Sequence, residues 1–354
     1  VLQLKNKILK KGSYCTDIHF GKKANSSQHN EDCLRFLDWF CEQAIEQGSD
    51  YVAFLGDWNE NRSSLNIATL NYSYRGAKKL NDLGIPVFFV VGNHDLYHRY
   101  SREVHSVLPF SEFSNFVLVE HPLVVEEIHG GALFVPYLFH EEYASLAEHL
   151  KIPFWAGHFE FKGFEVTGYG MKMPTGPEPS DFKGPKHIVS GHFHKRQADG
   201  NIVYMGNCFP MDFGDAGDFN RGMMTYDHVN DKMEFINWEQ CPKYIKTTLS
   251  KLLDGQVELH PDARVKCIVD IPVSFEESAV IRKKYTEECG LREFVLEESM
   301  QLQEALTGTE SAIDWDNEKL SSVNELVVQM LGNIESDHID NQTLVSIYQD
   351  LRVD

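Results

Sequence analysis

Apolar side chains in the first quarter of the chain recur at helical spacing and then in short unbroken runs. In EDCLRFLDWFCEQAIEQG, the residues Leu34, Leu37, Phe40, Cys41 and Ala44 share one helix face, and Gly48 closes it. The run YVAFLGD follows as a short buried strand. A second helical stretch from about Ser64 to Asp82, closed by Gly84, leads into another such strand, PVFFVVGNHD. Each strand ends in polar residues. This order predicts an α/β sheet whose site lies beyond the carboxyl ends of its strands.

Further on, FVLVEHPLVVEEI, ALFVPYL, PFWAGHFEF, HIVSGHFH and IVYMGN are short apolar runs broken by Gly, Pro or polar turns. They predict a second, more antiparallel sheet packed on the first. MMTYDHVNDKMEFINW reads as a hairpin turned at Asn230 and Asp231 that closes the domain near residue 245. RVKCIVDIPVSFEESAVIRKKYTEECGLREFVLEE reads as strand, helix, strand, with Ser274 and Glu277 spaced as a capping box. Residues 300–320 read as a polar linker. After it Val323, Leu326, Val327, Met330, Leu331 and Ile334 fall on one helix face, with a shorter echo in Leu344, Ile347, Tyr348 and Leu351. The predicted fold class is α/β in layers: a two-sheet sandwich flanked by helices, a small α/β unit and a helical C-terminal tail. The corresponding boundaries are 1–245, 246–299 and 300–354.

Charge narrows the functional classes. The net charge of −20 argues against nucleic-acid binding by bulk electrostatics, because phosphate contacts need Lys and Arg. The charge is uneven, however: residues 293–354 hold about 14 acidic and 2 basic side chains, leaving the preceding body near −8. The seven cysteines (15, 33, 41, 208, 241, 267 and 289) are scattered and contain no C-x-x-C, so neither a disulfide framework nor a thiolate zinc site is expected. No apolar run approaches the ~20 residues of a membrane helix. The Lys-rich start lacks a signal peptide's apolar stretch, and the expectation is a cytoplasmic chain.

Five loops end in potential metal ligands: TDIHFG, LGDWNENR, VGNHDLYH, AGHFEF and SGHFHK. In extended backbone, residues i and i+2 point to one side, so His192 and His194 can face one point while Phe193 turns into the core; Asp17 and His19 have the same spacing. The candidates are Asp17, His19, Asp57, Asn93, His158, His192 and His194. All are oxygen or imidazole donors, which suits Mn²⁺, Fe²⁺ or Zn²⁺ in a catalytic site better than structural zinc. Seven ligands exceed one ion's need. With one carboxylate bridging they suit two ions about 3.5–4 Å apart, the clamp used in phosphoester cleavage.

The order D-x-H, G-D, G-N-H-D, G-H, G-H-x-H over residues 13 to about 240 resembles the calcineurin-like metallophosphoesterase superfamily. The small unit that follows and the amphipathic acidic tail resemble the SbcD-type double-strand-break repair nucleases. VGNHDL, GHFE and SGHFH also resemble the T-even phage recombination endonuclease subunits. By position, the resemblance implies that Asp17, His19 and His194 hold one ion, that Asn93, His158 and His192 hold the other, and that Asp57 bridges. His94 would be the general acid or transition-state stabiliser, with Asp95 orienting its ring. The resemblance further implies two divalent ions, Mn²⁺ preferred with Mg²⁺, Fe²⁺ or Zn²⁺ as alternatives. It also implies 3′–5′ exonuclease and single-strand endonuclease action on DNA ends, a capping and DNA-recognition role for 246–299, a homodimer and an SbcC-type coiled-coil ATPase partner. That partner would engage Leu326, Met330, Leu331 and Ile334, and a phage source would put the protein in a bacterial host's cytoplasm.

Two departures stand out. Cellular members usually carry a histidine three residues after the bridging Asp, where this chain has Glu60. The strand before Asp17, KKGSYC, is weakly apolar, which predicts an unusual edge or register. Lys195, Arg196 and Arg221 lie near the site in sequence as candidate phosphate contacts, as do Lys22 and Lys23. The rival readings are a dimetal phosphoesterase for small phosphodiesters, nucleotides or phosphoproteins, and a scaffold without activity. Against the phosphoprotein reading, GDWNENRSS has Arg62 but no Gly after it.

Overall fold

The computed structural model describes residues 8–166 and 170–298, together with Thr343. The predicted linker, tail helices and partner contacts at Leu326, Met330, Leu331 and Ile334 lie outside the described residues. The chain through Glu298 packs as one compact unit.

Two six-stranded sheets stack face to face. The first runs β12-β11-β1-β2-β3-β4, where β1 is Lys11–Cys15, β2 Tyr51–Phe54, β3 Val87–Val90, β4 Phe116–Val119, β11 Gly222–Asp227 and β12 Lys232–Asn237. The second runs β5-β6-β7-β8-β10-β9, with β5 Leu123–Val125, β6 Ala132–Val135, β7 Phe154–Gly157, β8 His187–Ser190, β9 Gln197–Asp199 and β10 Ile202–Tyr204. Strand alternation builds three apolar layers. On β2, Tyr51 and Ala53 face the second sheet while Val52 and Phe54 face the helices; on β7, Phe154 and Ala156 face inward while Trp155 faces the outer layer. Helices α1 (Ser27–Glu46) and α2 (Ile67–Asn81) cover the first sheet through Leu34, Phe36, Leu37, Phe40, Ala77 and Leu80.

Several expectations are corrected. The second sheet is mainly parallel; only its edge strands β5 and β9 pair antiparallel. Its central strands β6, β7 and β8 are buried on both faces, as parallel strands are, and short apolar runs carry no sign of partner direction. The run FVLVEHPLVVEEI supplies β4 to one sheet and β5 to the other. Helix α1 starts at Ser27, earlier than its apolar pattern, because its first turns bury His29, Asn30 and Asp32; Ser26 caps it. Helix α2 starts at Ile67, after Asn66, whose side chain accepts from Thr69 N at 2.7 Å. Strand β1 is neither an edge nor irregular: it sits between β11 and β2 in regular register. Its weakly apolar sequence has local reasons. A Cβ at Gly12 would lie 2.4 Å from the Tyr51 ring, and the Ser13 hydroxyl bonds that of Ser49 at 2.7 Å.

A third sheet holds β13 (Tyr244–Thr248), β14 (Arg264–Val269) and β15 (Glu293–Glu298), all parallel, with helices α3 (Leu249–Leu253) and α4 (Phe275–Lys283). The sequence reading missed β13 and α3. The Ser274 and Glu277 capping box forms as predicted. Arg292 Nη1 fastens this sheet to α1, donating to both oxygens of the buried Asp32 at 2.9 and 2.7 Å. All seven cysteines are free thiols. No helix among the described residues is long and apolar enough to cross a membrane.

Between the main sheets the Tyr14 hydroxyl bonds that of Tyr51, which donates to His228 Nε2 at 2.7 Å. Burial, then the neighbouring His129, holds the His228 imidazole down at about 4. A histidine that protonates in the unfolded chain near 6.5 and in the folded one near 4 leaves stability intact above 6.5 and erodes it as pH falls through that window. We expect this to cost about 2 kcal/mol at pH 5 relative to pH 7. His228→Gln removes that increment, read as a smaller difference between urea unfolding free energies at the two pH values.

Candidate active site

Strands β1, β2, β3, β7 and β8 each deliver one candidate loop from their carboxyl ends, at one end of the sandwich. The predicted metal ligands converge there. Carboxylate and imidazole atoms of Asp17, His19 and His194 lie within 4.8 Å of one another, as do those of Asp57, His158 and His192. Asp57 Oδ2 faces both groups, 3.9 Å from His19 Nε2 and 3.4 Å from His158 Nε2. Asn93 Oδ1 joins the second group, 2.9 Å from both His158 Nε2 and His192 Nδ1.

The convergence does not come from extended backbone. Asp17 (φ 53°), His19 (φ 54°), Asp57 (φ 61°) and His192 (φ 85°) all adopt left-handed conformations, which cost a non-glycine residue about 1–2 kcal/mol each. Such strain persists where the surroundings over-determine it. Here the preceding glycines let the loops close: a Cβ at Gly92 would lie 2.2 Å from Asp57 N, and one at Gly191 2.0 Å from Thr16 Oγ1. Phe193 does turn into the core, as predicted.

Partners outside the cluster set the tautomers. His158 Nδ1–H donates to Leu55 O at 2.7 Å, leaving the Nε2 lone pair inward. His192 Nε2–H donates to Glu160 Oε2 at 3.1 Å, leaving Nδ1 inward. His19 Nδ1 lies 2.8 Å from Glu60 Oε2, an ion-pair contact that is not aligned as a hydrogen bond, and its Nε2 is inward, 3.1 Å from His194 Nε2. Thus the inward atoms of Asn93, His158 and His192 are three acceptors within 3.3 Å of one another. Acceptors pressed together repel unless a cation lies among them, so the donor set fits divalent ions. Where no ion takes the inward nitrogens a proton does: burial raises the Asp57 carboxyl, but protonated His158 and His19 outweigh it and hold Asp57 well below the usual range. Burial likewise raises Glu60, and His19 with Lys22 brings it down to about 2.

His94 sits at the rim, about one-third exposed, with its ring 4.9 Å from that of His19. Its Nδ1–H donates to Glu60 O at 2.8 Å and its backbone N to Asp57 Oδ1 at 2.8 Å, so Nε2 is left outward. Its side chain also falls in a group with His19 and Asp57. Asp95 does not orient it, contrary to expectation. The Asp95 carboxylate is fully buried and accepts from the backbone N–H groups of Asp57, Trp58, Asn59 and Gly92 at 2.9–3.1 Å. The Glu60 carbonyl does the orienting.

The candidate phosphate contacts are engaged within the protein. Arg221, predicted to meet DNA, is 1% exposed: it pairs with Asp215 at 3.2 Å and Asp218 at 3.1 Å and donates to His194 O. Lys195 pairs with Glu165, and Arg196 reaches Asn237 and lies over the Phe235 ring. Lys22 turns to Glu60 and Lys23 to Tyr244. Sequence reasoning missed Glu60 and Glu160 as imidazole partners; the only signal was a carboxylate within three residues of a ligand. It also missed Tyr137, whose ring lies 5.8 Å from that of His192. Tyr137 and Glu160 line a cavity of about 580 Å³ beside the cluster, with Arg99, Tyr100 and Thr175.

Carboxylate, amide and imidazole donors at the mouth of a layered α/β sandwich define a metallophosphoesterase. The calcineurin-like phosphoesterase family model matches residues 14–196, and the chain belongs to that family, whose members carry a dinuclear metal centre. The chain is 29% identical over 228 residues to exonuclease subunit 1 of Enterobacteria phage T4, covering 62% of this chain and 65% of that one. It is 20% identical over 264 residues to the DNA double-strand break repair protein Mre11 of Methanocaldococcus jannaschii, covering 67% and 68%. Among solved structures, TT1561 of Thermus thermophilus is similar at a TM-score of 0.40 and 13% identity, covering 65% of this chain and 99% of that one.

Proposed function

We propose that this phosphoesterase is the nuclease subunit of a DNA recombination or repair complex, cleaving phosphodiesters at DNA ends with two divalent ions, Mn²⁺ preferred. The observation that carries the chemistry is the Asp57 carboxylate facing two groups of inward lone pairs. The choice of substrate is supported by the likeness to a phage exonuclease subunit and to a double-strand break repair protein. In this reading Asp17, His19 and His194 hold one ion, Asn93, His158 and His192 the other, and Asp57 both. When bound, such ions would supply Lewis-acid charge to the scissile phosphate and lower the pKa of water beside it. His94 holds a proton at Nε2 for the leaving oxygen, its ring fixed by the Glu60 carbonyl. The cavity bounded by Tyr137 and Glu160 leaves room for the flanking nucleotide.

Internal pairing of Lys22, Lys195 and Arg221, with the acidic balance of the chain, leaves an SbcC-type ATPase partner to supply much of the DNA-binding surface. The reading includes a homodimer, a capping and DNA-recognition role for residues 246–299, and action in a bacterial cytoplasm.

The test is degradation of end-labelled linear duplex DNA with Mn²⁺, Mg²⁺ or EDTA, with and without the partner, beside hydrolysis of bis-p-nitrophenyl phosphate. Mn²⁺-dependent shortening of the DNA supports the nuclease. Hydrolysis of the small diester with no DNA cleavage, even with the partner present, keeps the phosphoesterase and rejects the substrate.

A further inference from the structure

Each group of inward lone pairs has one imidazole backed by a glutamate from outside it. Glu60 Oε2 lies 2.8 Å from His19 Nδ1, and Glu160 Oε2 lies 3.1 Å from His192 Nε2. The two carboxylates come from different loops, one after β2 and one after β7, and belong to different sheets. Neither is among the inward-facing atoms of the two groups. Their side chains are 25% and 27% exposed, so each carboxylate reaches solvent at its edge, although Glu60 Oε2, which faces His19, is itself buried. His158, by contrast, is oriented by a neutral carbonyl, Leu55 O.

We infer that Glu60 and Glu160 are positioning residues that set the affinity of the two ion positions separately, Glu60 through His19 and Glu160 through His192. The inference rests on reading the cluster as a two-ion site. A carboxylate on the far nitrogen of a ligating imidazole fixes its tautomer, aims the other nitrogen and raises its basicity, and losing such a partner typically weakens metal binding 10- to 100-fold. Among the seven proposed ligands each glutamate carboxylate touches one imidazole, so each loss falls on one ion; the other imidazole near Glu60, that of His94 at 3.9 Å, is held by the Glu60 carbonyl, which Glu60→Gln keeps. The Lys22 ammonium, 3.5 Å from Glu60 Oε1, anchors the first carboxylate. The second has its loop fixed by Glu160 N–H donating to the Tyr143 hydroxyl at 2.9 Å.

The experiment titrates the metal-stripped full chain with MnCl₂ and reads the free Mn²⁺ resonance signal by electron paramagnetic resonance. The parent takes up two ions. Glu60→Gln weakens one of them about 10- to 100-fold and leaves the other within about 3-fold; Glu160→Gln does the converse, and the double variant weakens both. His194→Asn and His158→Asn identify the positions: the ion lost with Glu60→Gln is the one lost with His194→Asn, and Glu160→Gln pairs with His158→Asn. If Glu60→Gln does not fold by the metal-free thermal transition, Glu60→Asp, which withdraws the carboxylate by one methylene, gives the same selective loss. A parent that binds two ions while the glutamine variants keep parental affinity, or lose both ions equally, overturns the inference alone. A parent that binds no Mn²⁺ overturns the two-ion reading with it.

Discussion

Asp57→Ala is expected to abolish divalent-ion-dependent hydrolysis, by at least about 10³-fold on bis-p-nitrophenyl phosphate and, in the nuclease reading proposed above, on DNA as well, because it removes the one carboxylate that faces both groups. Its Oδ1 also accepts the His94 backbone N–H, so the loss displaces the rim histidine. His94→Asn gives a different pattern. It leaves every inward lone pair in place, so Mn²⁺ uptake stays at the parental level while turnover falls about 10²- to 10⁴-fold, the range for a lost general acid. Steady-state rates on the small diester, measured beside Mn²⁺ uptake by the same protein, separate the two. Mn²⁺-dependent turnover surviving in the Asp57 variant would show that the two groups work without a shared carboxylate. Loss of Mn²⁺ uptake in the His94 variant would make that histidine a ligand, as its grouping with His19 and Asp57 allows.

The site was more legible in the sequence than the sheets around it. Each candidate ligand stands within four residues of a strand's end, so its position follows once the strands are found. How the loops converge was not legible. The spacing of Asp17 to His19 and of His192 to His194 invited an extended reading, whereas left-handed turns at Asp17, His19 and His192 aim these side chains. Asp and His enter that conformation more readily than most residues, but too seldom for the sequence to mark it at these positions. Strand direction in the second sheet was hidden because ALFV and HIVS look the same whichever way their neighbours run. Arg221 was misjudged for another reason. Proximity to the motif suggested a phosphate contact, but Asp215 and Asp218 stand within six residues and neutralise it in the interior. Those acidic residues in GDAGDFNR were the available sign.

Asp95→Ala destabilises the whole domain, by at least about 4 kcal/mol in urea unfolding with EDTA present. Among the described residues the carboxylate is the only side chain that accepts from Asp57 N, Trp58 N, Asn59 N and Gly92 N, and its removal leaves four buried donors, each costing about 1–3 kcal/mol. Against a typical total of about 5–15 kcal/mol, that is a large share of the fold's stability. Asp95→Asn keeps the shape but turns one acceptor oxygen into an NH₂ group that faces backbone donors, so it is destabilised too, by about 2–4 kcal/mol. Activity falls in both, because the two loops that Asp95 ties together carry Asp57 and Asn93. The contrast with His94→Asn decides what Asp95 does. If the carboxylate served mainly to orient the His94 ring, Asp95→Asn would match His94→Asn, with stability unchanged and turnover lost. A carboxylate that holds the loops loses stability first, in the absence of any metal, and the unfolding curve in EDTA reads that difference directly.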